Sequence, residues 1–321
     1  MTKKVLITGV TGFVGSYLAK LYLEKGTYKV YGMKRWRSPM DMIKHHGIEQ
    51  KVNWVECDLT DAHSVQKAIK EVKPNIIHHL AAQSYVRTSW IYPVKTMEVN
   101  IVGSLNLFEA IKEYVPNCVV QVASTSEVYG IPSKKELPIK ETMLPRPCSP
   151  YGVSKYAMDT LASQYVASYG LNIVITRAFN HSGAGRGEVF VISSFAKQIA
   201  EIEKGKREPV IMHGNLDAYR DFTDVVDICK AYMISVKKCD YGTPYNVCTG
   251  NKIKIQGLLN KMIKMSKVKI TSQQDQHRMR PSDLWVLQGD PTKFKKVTGW
   301  QPKKDFDITL QETLDFWRKY A

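Results

Sequence analysis

The residues with the most recognisable chemistry in this sequence are a tyrosine and a lysine four positions apart, Tyr151 and Lys155. The surrounding apolar pattern predicts a helix over residues 151–168, and this spacing places both side chains on one face of it. A phenol with a pKa of about 10 becomes a useful acid or base near neutral pH only beside a cation. We therefore predict that Tyr151 transfers a proton and that Lys155 favours its phenolate. The same spacing also occurs by chance in helices, so the prediction depends on a nucleotide site elsewhere in the chain.

Three polar residues, Thr125, Ser126 and Glu127, follow a predicted strand at residues 118–123. A hydroxyl at the carboxyl end of a strand can hydrogen-bond the reacting oxygen of a substrate. A carboxylate beside that hydroxyl can remove a carbon-bound proton and then help water to leave. The alternative is that Glu127 is an ordinary surface residue at a strand end. We predict that all three residues belong to the catalytic set.

A glycine-rich turn connects the first predicted strand to the first predicted helix. Its glycines have the spacing G-x-x-G-x-x-G. The first glycine permits a tight turn, the second lets the backbone approach a pyrophosphate, and the third lets the helix pack closely on the strand. Three glycines can also serve a turn alone, but their place between strand and helix predicts dinucleotide binding. The predicted contact residues in this turn are Gly9, Thr11, Gly12, Phe13, Val14 and Gly15.

The residues after the second predicted strand indicate which dinucleotide binds. An Asp or Glu at this place would bind the ribose hydroxyls of NAD. The sequence instead reads K-R-W-R-S over residues 34–38, without an acid, and cations suit the additional 2′-phosphate of NADP. A solvent-exposed basic loop is the alternative interpretation. We predict NADP as the cofactor, and the contacts predicted outside the glycine turn are Arg35, Arg37, Asp58, Leu59, Leu80, Ala81, Ala82, Tyr151 and Lys155.

Strands and helices alternate along the first half of the chain, and this alternation positions the residues above. Short β-branched runs followed by amphipathic stretches are typical of a Rossmann-type doubly wound parallel sheet, so we predict an α/β fold. We expect residues 1–177 to form the NADP-binding domain. We expect residues 178–321 to form mainly a smaller α/β substrate-binding lobe, discontinuous because some segments return to the large sheet. The predicted strands lie at residues 4–8, 29–33, 52–57, 75–80, 118–123 and 172–176, and the predicted helices at 15–25, between residue 60 or 61 and Pro74, at 93–114 and at 151–168.

Composition narrows the remaining classes of function. The 321 residues carry a formal charge of +16, but lysine and arginine are spread along the chain between acidic residues, whereas nucleic-acid binding requires a concentrated basic stripe. No apolar run reaches about 18 residues, the length of a membrane span. The N-terminus begins like a basic signal-peptide n-region, but its apolar run stops at Thr8 and no small-residue cleavage site follows, so we expect no signal peptide. Six cysteines without C-x-x-C pairing and eight histidines without metal-ligand spacing predict free thiols and no metal site. We expect a cytoplasmic enzyme without membrane or nucleic-acid partners.

Several segments resemble the GDP-mannose 4,6-dehydratases and the GDP-4-keto-6-deoxymannose reductases. Both are extended short-chain dehydrogenases of the NAD-dependent epimerase/dehydratase family. The similar segments read A-S-T-S-E-V-Y-G at 123–130, S-P-Y-x-x-x-K at 149–155, F-N-H followed by R-G within 179–187, G-N-L-D-A-Y-R-D at 214–221 and R-P-S-D at 280–283. The likeness extends over essentially the whole chain. The resemblance implies that a nucleotide diphosphate sugar is bound by Gln83, Ser84, Asn180, Lys197, Arg220, Arg280 and Asp283.

The resemblance implies a 4,6-dehydratase that converts GDP-mannose to a GDP-4-keto-6-deoxy sugar and water with tightly bound NADP, as a homodimer or homotetramer. Two other functions remain open. One is an NADPH-consuming GDP-4-keto-6-deoxymannose reductase, which the glycine turn and the run at 220–225 resemble more closely. The other is a non-catalytic NADP-binding sensor of the same fold, in which the Tyr/Lys pair is commonly lost. Thr125 and Glu127 favour elimination chemistry. Mannose and guanine rest on the resemblance alone, because a heptose or an N-acetylated hexose would differ only in pocket shape.

Overall fold

Strands and α-helices alternate along the residues that this computed structural model describes, 2–279 and 285–321. A π-helical turn lies at Glu98–Val102, and short 3-10 helices lie at Ser126–Tyr129, Lys134–Glu136 and Gln276–Arg278. The strands are β1 (Lys3–Thr8), β2 (Tyr28–Lys34), β3 (Asn53–Glu56), β4 (Ile76–His79), β5 (Val119–Thr125), β6 (Asn172–Ala178), β7 (Asn180–Ser182), β8 (Val210–His213), β9 (Tyr219–Arg220), β10 (Phe222–Asp224), β11 (Pro244–Val247), β12 (Ile253–Lys254), β13 (Thr271–Gln274) and β14 (Val286–Leu287). The α-helices are α1 (Phe13–Lys25), α2 (Asp41–His45), α3 (Ala62–Val72), α4 (Val86–Ile91), α5 (Pro93–Met97), α6 (Gly103–Tyr114), α7 (Pro150–Tyr169), α8 (Val191–Glu203), α9 (Val225–Lys238), α10 (Ile255–Lys264), α11 (Thr292–Thr298) and α12 (Phe306–Tyr320).

Seven parallel strands form the central sheet, in the order β11-β6-β5-β4-β1-β2-β3. The direction of strand addition reverses between β1 and β4, and sheets of this kind bind ligands beyond the carboxyl ends of the strands at such a point. Strands that are covered by helices on both faces read as continuous apolar runs. Val5, Leu6 and Ile7 of β1 are accordingly fully buried. The predicted α/β fold with a doubly wound parallel sheet is confirmed.

The helix ends follow the capping residues that the sequence indicates. Helix α1 ends at Gly26, which adopts a left-handed conformation with a φ of 66°. Helix α3 begins after Asp61, whose carboxylate accepts a hydrogen bond from the His63 N–H. The buried face of α3 consists of the four residues that its apolar spacing predicts, Val65, Ala68, Ile69 and Val72.

The predicted helical stretch over residues 93–114 is present, but it is not one regular α-helix. The structure divides it into α5 and α6, joined by the π-helical turn, and such turns occur frequently at functional sites. The turn carries Asn100, a buried residue whose amide accepts a hydrogen bond from the Gln83 N–H at 2.8 Å and donates one to the Ser154 hydroxyl at 2.9 Å. These bonds join the loop after β4 to α7. Local periodicity cannot report them because the partners are distant in the sequence.

The second half of the chain contributes to the central sheet and to a separate core. Strand β11 extends the edge of the sheet beside β6, and α9 packs against α1. Helices α8, α10 and α12 enclose another hydrophobic core, in which Ile199, Leu259 and Leu310 are fully buried. None of the helices in residues 2–279 and 285–321 has the length and apolar character to cross a bilayer. The predicted boundary between an NADP-binding domain, residues 1–177, and a substrate-binding lobe, residues 178–321, stays a prediction.

Candidate active site

A cleft of about 1650 Å³ opens at the carboxyl ends of the central strands. Its walls come from the turn after β1, the ends of β2, β4 and β5, the start of α7 and the residues between β6 and α8. A site for one small molecule usually has a volume of about 300–1,000 Å³. The cleft is therefore large enough for a dinucleotide and a second nucleotide ligand together.

The turn between β1 and α1 forms a cradle for phosphate groups. Gly9 has a φ of 65°, and a Cβ there would lie 2.9 Å from the backbone of Ala81, so only glycine fits. A Cβ at Gly15 would lie 2.7 Å from Val10 Cα, because α1 packs directly on β1. Gly12 precedes α1 and supplies no side-chain cap, which leaves N–H groups of the first turn for an anion. The six turn residues predicted to contact a dinucleotide all line the cleft, and the cradle fits a pyrophosphate.

The loop after β2 brings one of its two predicted phosphate-binding arginines to the cleft. Arg35 lines the cleft together with Lys34 and Ser38, whereas Arg37 is not among the lining residues. The Arg37 guanidinium instead lies over the exposed ring of Trp36, 4.2 Å from its centroid, in a cation–π contact. The structure thus brings Arg35, and not Arg37, to the cleft.

The segments after β3 and β4 border the same part of the cleft. Asp58 accepts hydrogen bonds from the N–H of Thr60 at 3.0 Å and from its hydroxyl at 2.9 Å. Burial raises the pKa of the Asp58 carboxyl, but these bonds and the charge of Arg35 outweigh burial and leave the pKa below its ordinary value. The carboxylate is therefore fixed as an acceptor. The other predicted residues that line the cleft here are Leu59, Leu80, Ala81 and Ala82.

Lys155 is buried in α7, one helical turn after Tyr151. Its ammonium donates a hydrogen bond to the Ala123 carbonyl oxygen at 2.8 Å and lies 3.9 Å from the Met158 sulfur. Burial lowers the pKa of Lys155 to about 8, and the negative charge of Asp159 opposes this effect. Lys155 therefore still carries a positive charge near neutral pH.

Tyr151 is buried at the base of the cleft, with Thr125, Glu127 and Arg186 acting on its hydroxyl. Burial raises the pKa of Tyr151 to about 12. A hydrogen bond with the Thr125 hydroxyl lowers this pKa, the charge of Glu127 raises it and the charge of Arg186 lowers it. The hydrogen bond makes the phenol and the alcohol direct neighbours, and the carboxylate acts on the phenol through its charge. The arrangement can therefore move protons at more than one atom of a bound substrate.

The end of β5 explains why Glu127 faces the cleft. Thr125 is the last residue of the strand, and its hydroxyl accepts a hydrogen bond from the Glu127 N–H at 3.3 Å. This bond caps the 3-10 helix that begins at Ser126 and turns the chain back across the strand ends. Thr125 and Ser126 are buried, Glu127 is half-buried and all three line the cleft. Glu127 is thus part of the cleft wall and not an ordinary surface residue.

The structure adds two cleft residues to which the sequence had assigned no role, Arg186 and His181. The Arg186 guanidinium lies 3.6 Å from the ring centroid of Phe190 and 5.1 Å from that of Phe13. Burial lowers the pKa of Arg186 to about 10, and the hydroxyls of two tyrosines oppose the effect. Burial and the charge of Arg186 lower the pKa of His181 to about 3, so its ring is neutral. His181 belongs to the F-N-H motif and Arg186 to the R-G motif. These two motifs were the signal in the sequence that could have identified both residues as part of the site.

Comparison with known proteins identifies the family. The sequence profile described as GDP-mannose 4,6 dehydratase matches residues 6–313. The chain belongs to the GDP-mannose 4,6-dehydratase family. The predicted family is confirmed.

Two curated relatives and one solved structure of the family resemble the chain over its full length. The chain is 31% identical to the GDP-6-deoxy-D-mannose reductase of Pseudomonas aeruginosa over 317 residues, which cover 99% of this chain and 98% of the reductase. It is 33% identical to the GDP-mannose 4,6-dehydratase of Vibrio cholerae serotype O1 over 353 residues, covering 98% of this chain and 92% of the dehydratase. The structure of RMD from Pseudomonas aeruginosa complexed with NADPH superimposes with a TM-score of 0.85 at 30% identity and covers 100% of both chains.

Most of the substrate-binding residues that the family resemblance implies line the cleft, and the rest lie outside the described residues. Asn180, Lys197 and Arg220 line the cleft. The Asn180 side-chain oxygen is buried and has no hydrogen-bond partner within residues 2–279 and 285–321, so it can accept a bond from a ligand. Lys197 is ion-paired with two glutamates. Two further predicted residues, Arg280 and Asp283, lie outside the described residues.

Gln83 and Ser84 line the cleft beside the end of β4. The Gln83 side chain accepts a hydrogen bond from the Tyr85 N–H at 2.6 Å and donates one to the Thr96 hydroxyl at 3.2 Å. Its backbone N–H and carbonyl both bind the Asn100 amide. Gln83 therefore holds the shape of the loop, while Ser84 is exposed at the cleft.

Proposed function

We propose that the protein is a sugar-nucleotide 4,6-dehydratase that converts GDP-mannose to GDP-4-keto-6-deoxymannose and water. The observation that carries this proposal is the position of Glu127 in the cleft, where its charge acts on the Tyr151 hydroxyl. Interconversion of an alcohol and a ketone requires one proton-transfer group. Elimination of water across C5 and C6 requires a second group that can take a carbon-bound proton. Glu127 supplies that group.

NADP is the proposed cofactor. The glycine cradle suits its pyrophosphate, and Arg35 with Lys34 suits its 2′-phosphate. Held by these residues, NADP would supply the hydride chemistry between C4 and C6 of the sugar, and the net reaction would consume no reductant. The NADPH named with the Pseudomonas aeruginosa structure supports the choice of the phosphorylated dinucleotide.

The proton transfers fall to three side chains. Tyr151 would take the proton of the C4 hydroxyl, and the positive charge of Lys155, which lies one turn away on α7, is proposed to help it do so. The ketone formed at C4 acidifies the C5–H bond, and Glu127 removes that proton. Glu127 then gives it to the C6 hydroxyl, which leaves as water. C5 then takes one proton from solvent, and Tyr151 releases to solvent the proton that it took from the C4 hydroxyl, so the proton count balances.

The second lobe is proposed to hold the GDP-sugar. Asn180, Lys197 and Arg220 line its side of the cleft, and the arginine fork suits phosphate oxygens. The same proposal includes Arg280 and Asp283 by family resemblance. The division of the chain into residues 1–177 and 178–321, the assembly as a homodimer or homotetramer and the cytoplasmic location are also proposed. They rest on the sequence pattern and the resemblance.

A GDP-4-keto-6-deoxymannose reductase is the second candidate. The Pseudomonas aeruginosa reductase aligns over 98% of its own length, whereas the Vibrio cholerae dehydratase aligns over 92%. A reductase needs only Tyr151 with Lys155 to deliver the proton, and it consumes NADPH in each turnover. The reductase reaction does not require Glu127, and for this reason we favour the dehydratase.

Incubation with GDP-mannose in deuterated water distinguishes the two candidates. A dehydratase gives a product that has lost one water, carries deuterium at C5 and forms without added NADPH. Tyr151→Phe is the inactive control. The dehydratase proposal fails if GDP-mannose stays unchanged while GDP-4-keto-6-deoxymannose is reduced with stoichiometric NADPH.

A further inference from the structure

A third ionisable residue continues the catalytic face of α7. Tyr151, Lys155 and Asp159 follow one another at intervals of four residues, and all three side chains are buried. Carboxylates are rarely buried unless they are paired, because removing the charge from water is costly. A carboxylate buried at Asp159, one turn beyond Lys155, therefore needs partners that compensate for its charge.

Asp159 is held in place by residues from other elements. Its Oδ2 atom accepts a hydrogen bond from Arg177 Nε of β6 at 2.8 Å, with both side chains less than one-tenth exposed. Arg177 also donates to the Tyr129 hydroxyl at 3.1 Å, and that hydroxyl donates to Asn246 at 2.7 Å. The Ser124 hydroxyl also lowers the pKa of Asp159. Arg177 and this network thus support the ionised form of a carboxyl whose pKa burial raises.

The immediate partners of Lys155 do not neutralise its charge. A carbonyl oxygen and a thioether contact its ammonium. The nearby ring of His79 is neutral, since burial and the charge of Lys155 lower its pKa to about 3. The charge of Asp159 is the influence that opposes burial at Lys155. The titratable and charged groups around the Tyr151–Lys155 pair are Asp159 of α7, His79 of β4, Glu127 and Tyr129 of the 3-10 helix after β5, Arg177 of β6, Arg186 before α8 and Tyr232 of α9.

We propose that Asp159 is a positioning residue for the reaction, whose carboxylate, held by Arg177, keeps Lys155 protonated beside Tyr151. The inference rests on the proposed function only in that Tyr151 and Lys155 transfer a proton, and it applies equally to a dehydratase and to a reductase. Asp159 does not touch the reacting atoms. It acts through Lys155, so its removal changes the pH range of activity more than the affinity for substrate.

The variant Asp159→Asn, measured as the NADP-saturated enzyme, tests this proposal. Without the carboxylate, Lys155 loses its proton at lower pH, because an adjacent opposite charge shifts a pKa by about one unit or more. In a plot of kcat against pH, the alkaline limb is expected to move to lower pH by about one unit or more. The KM for GDP-mannose is expected to stay within about twofold of the wild-type value. Asp159→Glu keeps the charge and is expected to restore the limb.

A matched control separates this effect from general damage to the fold. Asp227 of α9 is also buried, and it accepts hydrogen bonds from the N–H groups of Lys303 and Lys304 at 2.7 and 2.8 Å. Asp227→Asn is expected to lower stability and to leave the alkaline limb in place. If Asp159→Asn fails to fold because Arg177 is left unpaired, the double variant Asp159→Asn with Arg177→Met removes both charges and is expected to show the same shift.

A second readout does not depend on activity. The effect of Lys155→Met on the free energy of unfolding changes with pH around the pKa of Lys155, which is about 8 in the wild type. In the Asp159→Asn background, we expect this transition at a lower pH. An unchanged alkaline limb and an unchanged transition pH in a folded variant overturn the proposal. Absence of activity on GDP-mannose in the wild type refutes the proposed function instead, because the unfolding measurement still reports on Asp159.

Discussion

Replacement of Lys155 by methionine is expected to abolish catalysis and yet to stabilise the folded protein at neutral pH. Methionine fills nearly the same volume without a charge. In the folded protein burial lowers the pKa of Lys155 from 10.5 to about 8. The folded state therefore binds fewer protons than the unfolded state between these two values. The wild type gains stability from this group as the pH rises from 8 to 10.5, and below pH 8 it bears the full cost of the buried charge.

The lowering of the Lys155 pKa in the folded protein determines how much the buried charge reduces the free energy of unfolding. From the pKa change, the cost of the charged lysine is about 3 kcal/mol at pH 7 and about 1 kcal/mol at pH 10. Methionine removes this cost but also loses the hydrogen bond to the Ala123 carbonyl, a loss that does not depend on pH. The difference in unfolding free energy between variant and wild type should therefore shrink by about 2 kcal/mol from pH 7 to pH 10.

Urea unfolding of both proteins at several pH values measures this difference. Lys4→Met is the matched control, because its ammonium also donates to a main-chain carbonyl at 2.8 Å but keeps contact with solvent. We expect a smaller change with pH for the control. A Lys155→Met difference that stays constant or grows between pH 7 and pH 10 would falsify the assignment of a buried, destabilising charge to Lys155.

Three further substitutions test the remaining parts of the site. Glu127→Gln should reduce turnover of GDP-mannose by about 10²–10⁴-fold, the range for a lost general acid or base, and should stop deuterium uptake at C5; full activity in this variant would exclude the elimination role. Arg35→Ala should weaken NADP binding by about 1.5–3 kcal/mol, the usual worth of a charge-assisted hydrogen bond, and should leave NAD binding unchanged in calorimetric titrations; an equal loss for both cofactors would contradict the phosphate contact. Arg220→Ala should weaken GDP binding by a similar amount and spare NADP, and the reverse result would place Arg220 on the cofactor.

The sequence was informative where local rules determine structure. The apolar spacing of α3 predicts its buried face because a helix presents every third or fourth residue to the core. The glycine turn is predictable because Gly9 and Gly15 fill places where a Cβ would collide with the backbone. The pair Tyr151 and Lys155 is predictable because a spacing of four in a helix fixes its face.

Prediction failed or stopped where particular side-chain contacts, which residue type and spacing do not specify, decide the outcome. Arg35 and Arg37 have the same chemistry in the sequence, but in the structure Arg37 lies over the Trp36 ring and only Arg35 of the two lines the cleft. The amide of Gln83 suits a substrate, but its hydrogen bonds to Tyr85 and Thr96 commit it to the loop. Which of several possible partners a side chain takes cannot be read from residue type and spacing.

The π-helical turn makes the geometry of the active site depend on the number of residues in a helix as well as on their types. A π turn closes its hydrogen bonds over one more residue than an α turn, and each residue turns an α-helix by about 100°. Deleting one residue here would allow α5 and α6 to merge into one regular helix with the same faces toward the core. Asn100 would then turn away from Gln83 and Ser154, the two residues that it now joins. Gain or loss of a single residue, an event that surface loops absorb, would in this helix change the active site while the fold persisted.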